Sequence, residues 1–240
     1  MTLDDILSSL FGPAAKISRD GPILAGTARM ADGKPVHVLG FTGGVELGVD
    51  HAILLSAKVI EIAAGTDDAP ILFLVDSSSQ RMSRRDELMG LSEYLAHLGK
   101  ALMLAQGAGH RSVGLLYGGS AAGAFIATAL SCTSLVALPG AHPAVMDLPS
   151  MSRVTKLPLE VLEQRAKATP VFAPGLDNLA QTGAIAEIWD AAKPLAPQLA
   201  AVLAQPDHGD TRAQLGLSRG GRKKAAPIAG QIIALATAHG

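Results

Sequence analysis

Three apolar runs of strand length constrain this chain more than any other feature. They are ILFLVD (71–76), SVGLLY (112–117) and SLVALP (134–139). Polar residues do not alternate with apolar ones inside them. A strand with one wet face alternates, whereas a run of Val, Ile and Leu is covered on both faces, as in a parallel sheet. Segments of helix length separate the runs, one over about 86–105 and one opening at Ser120. Further helices are expected over 3–10 and about 50–64. Strand, helix and strand in series predict an α/β chain around a mostly parallel sheet. GPILAGTARM and KPVHVLGFT read as a strand pair turned by ADG. GGVELGVD and SSSQRMSRR read as loops. PAVMDLP (143–149) reads as another strand. After Pro149 the pattern is helical, with breaks at Pro158, Pro170 and Pro174. GAIAEIWD reads as a last short strand and LAPQLAAVLAQ as a helix. Residues 1–205 read as one domain. The tail, 206–240, carries SRGGRKK and then an apolar segment. SRGGRKK reads as a solvated linker, or as a contact for an anionic group.

Composition narrows the function classes. Of 240 residues, 48% are hydrophobic and only 17% charged, with a mean hydropathy of +0.31. A surface this apolar is expected to be partly covered by a partner. A net charge of −1 argues against a general nucleic-acid binder. Aromatic content of 3% argues against base-stacking platforms. The single cysteine, Cys132, rules out an intrachain disulfide and reads as a small buried residue. No Asp, Glu and His cluster at metal-ligand spacing, so no metal is expected. The apolar helix AILLSAKVIEIAAG carries Lys58 and Glu61 and is too short to span a bilayer. MTLDDILSSLFG lacks the basic start of a signal peptide. No membrane contact is expected, and the expected compartment is the cytoplasm.

Chemistry concentrates in YGGSAAG (117–123), where a strand meets a helix. A phosphate-binding Walker loop needs a lysine that does not follow Gly123. A dinucleotide fingerprint needs three glycines in one register, which GGSAAG does not offer. A serine nucleophile elbow needs G-x-S-x-G, and Gly118-Gly119-Ser120-Ala121-Ala122 misses the last glycine; its candidate bases, His208 and His239, lie in the tail. The remaining chemical reading is an oxyanion hole. Glycine lets a ligand approach the backbone, and helix-start amides carry partial positive charge. Tight strand–helix packing is the alternative use of the same glycines. Proline at 119 would delete an amide, and alanine is expected to add only a methyl group.

YGGSAAGAFIATALSCTSLVALPGA (117–141) resembles the crotonase superfamily, where two glycines and small residues open a helix that ends before an apolar strand. LPGAHPAVMDLPS (138–150) resembles the Pro-x-Ala…Ala-Val-Met…Pro segment of acyl-CoA carboxyltransferases. GFTGGVELGVDHAILLSAKVIEIA resembles their Gly-Gly loop and following helix, and PILFLVDSSSQRMSRRDE their strand ending in Asp. Within that group, residues 1 to about 205 resemble gamma subunits of biotin-independent malonate decarboxylases. DSSSQ (76–80) replaces the Pro-Gly loop of biotin-dependent relatives, which implies that no biotin is used. Clp-type serine proteases share the superfamily, but Ala121 and Asp147 stand where their nucleophile and base would be.

The resemblance implies a crotonase/ClpP-like spiral of β-β-α units of the carboxyltransferase type. It implies a beta subunit as heterodimer partner, an acyl-carrier subunit with a CoA-derived prosthetic group, and an alpha subunit that exchanges acetyl for malonate. No cofactor is expected on this chain itself. The implied substrate is a malonyl thioester, which loses CO2 through an enolate. The expected hole is the backbone of Gly118, Gly119 and Ser120, with a second at Ser78 and Ser79. Gly43, Gly44, Arg81, Arg84 and His142 are the expected substrate contacts. Arg81, Arg84 and Arg85 form a basic cluster after Asp76, read either as a solvated loop or as contacts for a carboxylate or phosphate. His51, His97 and His110 read as structural or surface residues. A biotin-dependent carboxyltransferase subunit, or a non-catalytic scaffold that completes the beta subunit's pocket, are the alternatives.

Overall fold

The structure, a computed structural model, describes residues 1–170, 173–206 and 209–238. A reciprocal cap opens the chain. The Asp5 amide donates to the Thr2 hydroxyl (3.2 Å) and the Thr2 amide to the Asp5 carboxylate (2.9 Å), which pairs the orphan amides of α1 (Leu3–Phe11). Leu3, Ile6, Leu7 and Leu10 form its buried stripe. Strands β1 (Lys16–Asp20), β2 (Ile23–Arg29) and β3 (Pro35–Leu47) follow as an antiparallel run. The ADG turn closes with the Met30 amide on the Lys34 carbonyl at 2.9 Å. The mostly exposed β1, KISRD, has no apolar pattern to mark it in the sequence.

From β3 the chain becomes parallel. It runs through α2 (Val49–Ala63), β4 (Ile71–Gln80), α3 (Arg84–Leu88), α4 (Leu91–Gly107) and β5 (Ser112–Leu116). Next come the short β6 (Gly119–Ala121) and α5 (Ala122–Ala127), then β7 (Ser134–Ala137), β8 (His142–Ala144) and α6 (Leu148–Thr155). Two successive turns of the chain therefore repeat strand, short strand, helix. The long strands join a seven-stranded sheet ordered β1-β2-β3-β4-β5-β7-β9, whose last member is β9 (Glu187–Ile188). The short strands β6 and β8 pair with each other in a separate parallel ladder. This is the β-β-α spiral that the motifs imply. Helices α7 (Leu159–Ala168), α8 (Leu176–Gln181), α9 (Leu195–Ala204), α10 (Arg212–Ser218) and α11 (Ala225–Ala238) complete the chain.

Both faces of the sheet are covered, which explains the unbroken apolar runs. Ile71, Phe73 and Val75 enter one core with Phe41, Leu55 and Leu98. Leu72 and Leu74 enter the other with Ile6, Val113, Val136 and Leu199. The rings of Phe41 and Phe73 meet edge to face, 5.7 Å apart.

Several boundaries differ from the sequence reading. The helix expected at Ser120 starts at Ala122, because Gly119–Ala121 pair with β8 first. Of the strand expected over 143–149, only its first residues are extended. The Asp147 side chain then accepts the Ser150 amide at 2.6 Å and caps α6. The helix expected over 86–105 is two helices, split where Gly90 turns left-handed (φ 83°). The loops expected at GGVELGVD and SSSQRMSRR are partly strand, since β3 continues to Leu47 and β4 to Gln80. Among the described residues, no helix is long and apolar enough to cross a membrane.

Candidate active site

The apolar run of β4 ends at Asp76, and its carboxylate gathers two glycine segments. Oδ2 accepts the amides of Gly43 (2.9 Å) and Gly44 (3.2 Å), while Oδ1 accepts the amide of Gly119 (3.3 Å). Gly43 and Gly44 reach it because both are left-handed, at φ 75° and 61°, within a register shift of β3. Glycine at 118 and 119 is a packing requirement as well. A methyl carbon at 118 would overlap the Asp76 carboxylate. At 119 it would sit 2.6 Å from the Ser77 carbonyl oxygen and 2.9 Å from the His142 Nε2. Alanine at 119 is therefore not the mild change that the sequence suggests. Packing and ligand access were competing readings of these glycines, and the packing use is visible in the fold.

Ser120 is held rather than poised. Its side chain is buried, and its hydroxyl shares a hydrogen bond with Ser77 Oγ at 3.1 Å. The strained residue at the strand–helix junction is Ala122 (φ 52°), whose methyl offers no nucleophile. His208 and His239 lie outside the described residues. Cys132 is also unsuited to attack, because burial pushes its thiol up to about 12. Burial likewise raises the Tyr117 phenol to about 12, and its hydroxyl donates to the Phe41 carbonyl at 3.3 Å.

The amides at the start of α5 are partly spoken for. The Gln80 side chain accepts the Gly123 amide at 2.6 Å, so β4 caps α5 from outside. Ser78 is different. The ladder pairs Val45 with Ser77 and then Glu46 with Ser79, which leaves Ser78 as a bulged residue without a partner on β3. Ser78 is exposed, and the half-buried Ser79 donates its hydroxyl to the Gln80 carbonyl at 2.8 Å. His142 lies opposite Gly119 in the β6–β8 ladder, with its ring over that glycine.

The basic cluster serves mainly to hold α2. Asp86, a buried carboxylate, accepts the Val49 amide at 3.1 Å and the Ser83 hydroxyl at 2.5 Å. Those hydrogen bonds, Ser83 first, hold its carboxyl below the usual range. Arg81 lies 3.6 Å from Asp86, and Arg85 grips Asp50 through two bonds of 3.0 and 3.1 Å. That grip holds the Asp50 carboxyl low. Burial, then the Arg81 charge, hold the His51 imidazole below the usual histidine range. Arg84 is exposed and, among the described residues, has no ion-pair partner. The fold brings Asp76, Gly43, Gly44, Gly119 and His142 together, and it ties Arg81 into the α2 cap. Asp76 and Gln80 are the residues that the sequence reading left out. The Asp closing the β4 run was its signal for the first.

At the opposite end of the sheet, the fold assembles a group that linear spacing did not show. His37, Asp67 and His110 bring ligand-type atoms within 4.8 Å of one another. They satisfy each other and the backbone: His37 Nε2 lies 3.0 Å from Asp67, and His110 Nδ1 lies 2.8 Å from the Ala69 carbonyl.

Residues 42–236 match the model of the malonate decarboxylase gamma subunit family. The chain belongs to that family. The match passes the limit near 205 suggested by the motifs and takes in α10 and most of α11. A Pseudomonas malonate decarboxylase hetero-tetramer in complex with coenzyme A contains a similar chain. The TM-score is 0.80 at 25% identity, over 96% of this chain and 98% of that one. A chain of the Pseudomonas MdcD–MdcE hetero-dimer gives a TM-score of 0.75 at 26% identity, over 95% and 96% of the two chains. The malonyl-S-ACP:biotin-protein carboxyltransferase of Malonomonas rubra is 32% identical over 187 residues, 75% of this chain and 63% of that protein. This gamma-family chain thus spans about 63% of the length of that curated relative.

Proposed function

We propose that this chain pairs with a beta subunit to decarboxylate a malonyl thioester carried on an acyl-carrier subunit, giving the acetyl thioester and CO2. The observation that supports this reading is the glycine rim at the C-terminal end of β4, where Asp76 takes the amides of Gly43, Gly44 and Gly119; those three are spent on Asp76, and the backbone left for the enolate is that of the bulged Ser78 beside them. Decarboxylation leaves an electron pair that moves onto the thioester oxygen as an enolate. Backbone amides held in place beforehand stabilise such charge, each by roughly 3 kcal/mol. Asp76 fixes the Gly43–Gly44 and Gly119 segments, and the bulged Ser78 presents its backbone beside them. The malonyl group approaches this rim from the beta subunit. Loss of CO2 generates the carbanion without a base, and water supplies the proton to the enolate carbon. An alpha subunit then exchanges the acetyl group for malonate, and the chain itself holds no cofactor. The chain works in the cytoplasm.

The test uses the purified beta–gamma pair with malonyl-loaded carrier. CO2 release and acetyl-carrier formation are expected in equal amounts, unaffected by avidin. A second reading, transfer of the carboxyl group to a biotin protein, is favoured by the Malonomonas relative. It requires a biotinyl acceptor, and avidin would stop it. A pair that forms no acetyl-carrier with or without a biotinyl acceptor would sink both readings and leave this chain as a scaffold.

A further inference from the structure

The turn between α10 and α11 gathers three cations around a cavity. Arg222, Lys223, Lys224, Gly220, Gly221 and Thr169 line a space of about 720 Å³. None of the three cations forms an ion pair among the described residues. Asp210 is the nearby acid, and its carboxylate is taken by Arg212 at 2.6 and 2.7 Å, with Arg222 a minor influence.

The turn is built, not loose. The Arg219 guanidinium donates to the carbonyls of Ala180, Ile185 and Ala186, each at 2.7 Å. The Gly221 amide donates to the Gly216 carbonyl at 2.9 Å. A methyl carbon on Gly221 would overlap the Gln181 carbonyl, so glycine lets the turn sit directly on the end of α8. One arginine anchors the turn, and three further cations face a cavity beside the first residue of α11. Like charges crowded without a counter-acid repel each other and are relieved by an anion.

The cavity also stands in a fixed relation to the glycine rim. The Gly175 amide, just before α8, donates to the Pro143 carbonyl at 2.8 Å, and Pro143 pairs with Ser120. The far end of α8, Gln181, lines the cavity. Six helical residues span about 9 Å, so α8 links the β6–β8 ladder to the cations.

We propose that this cavity binds a phosphate ester, namely the phosphate end of the CoA-type arm that bears the malonyl group. The guanidinium fork of Arg222 and the two ammonium groups suit phosphate oxygens. The assignment rests on the function proposed above for the source of the phosphate, and on this turn alone for the binding.

The test uses the beta–gamma pair with Arg222, Lys223 and Lys224 all changed to Gln, exposed positions where the melting temperature should hold. Titration calorimetry compares coenzyme A, inorganic phosphate and phosphate-free pantetheine. Coenzyme A affinity should fall about 10-fold or more, the loss expected for charge-assisted bonds, and pantetheine binding should not change. With malonyl-carrier, KM should rise by about 10-fold at constant kcat; with malonyl-pantetheine, neither should move. Unchanged coenzyme A affinity in the variant would overturn the proposal. So would an equal loss toward pantetheine, or inorganic phosphate binding as tightly as coenzyme A. An equal loss of affinity for carrier lacking its arm would assign the cations to the carrier's protein surface and overturn it too. If coenzyme A affinity falls as expected but the wild-type pair releases no CO2, the cavity stands and the decarboxylase reading falls.

Discussion

The glycine rim and helix α11 obey opposite rules. At the rim, four segments interlock through polar contacts: Asp76 with Gly43, Gly44 and Gly119, Ser77 with Ser120, and Gln80 with Gly123. At Gly118, Gly119 and Gly123 a methyl group has no room. In α11 no residue is buried, and Ile232, Ile233 and Leu235 are each more than 60% exposed. Its apolar side chains add nothing to the core of this chain. Apolar character is thus a poor guide to what the fold needs, and close approach at a glycine is a better one.

The contrast is sharpest at Gly118. Gly118→Ala should lower turnover of malonyl thioester by about 100-fold or more, because it drives Asp76 off the amides it aligns. Turnover and melting temperature measured together check this; near wild-type turnover would break the claim that the rim is rigid. Asp76→Asn comes next. An amide group must then turn an NH2 toward a backbone N–H, and kcat is expected to fall by about 10- to 100-fold with a smaller change in KM.

Asp86→Asn should cost about 1–3 kcal/mol near neutral pH by weakening the cap of α2. The sign follows from its lowered carboxyl pKa. The stabilisation is present above the unfolded value of about 4 and is lost as pH falls below it through the folded value. Denaturant melts at several pH values should show the gap between wild type and variant closing in acid. Ser120→Ala should lose about 1 kcal/mol and roughly 2–4 °C in melting temperature, while turnover stays within about threefold of wild type. A dead but folded Ser120→Ala would restore covalent catalysis. Ile232→Asp in α11 should be the mildest, within about 0.5 kcal/mol of wild type in the isolated chain.

The sheet was legible because burial on both faces leaves unbroken apolar runs, and 71–76, 112–117 and 134–139 became β4, β5 and β7. The family was legible in the glycine and Pro-Ala-Val-Met segments. Strand β1 was not, since its side chains are mostly exposed and carry no pattern. The short strand β6 was hidden because Gly-Ser-Ala suits a helix start as well as a ladder, and only pairing with β8 decides. The Asp76 contacts were hidden for a different reason. They join residues more than 30 positions apart, and no local spacing records them.

The two neighbouring glycines of the rim have different freedom to vary. At 118, the atoms in the way all belong to the Asp76 side chain. At 119, the nearest is the carbonyl oxygen of Ser77, which every residue type at 77 would carry. Position 118 is therefore conditionally glycine, and a larger residue can return there once 76 is itself reduced to glycine. Position 119 has no such second-site remedy. Among descendants of this sequence, 118 can leave glycine only after 76 has been reduced, while 119 stays fixed for as long as β6 rests on β4.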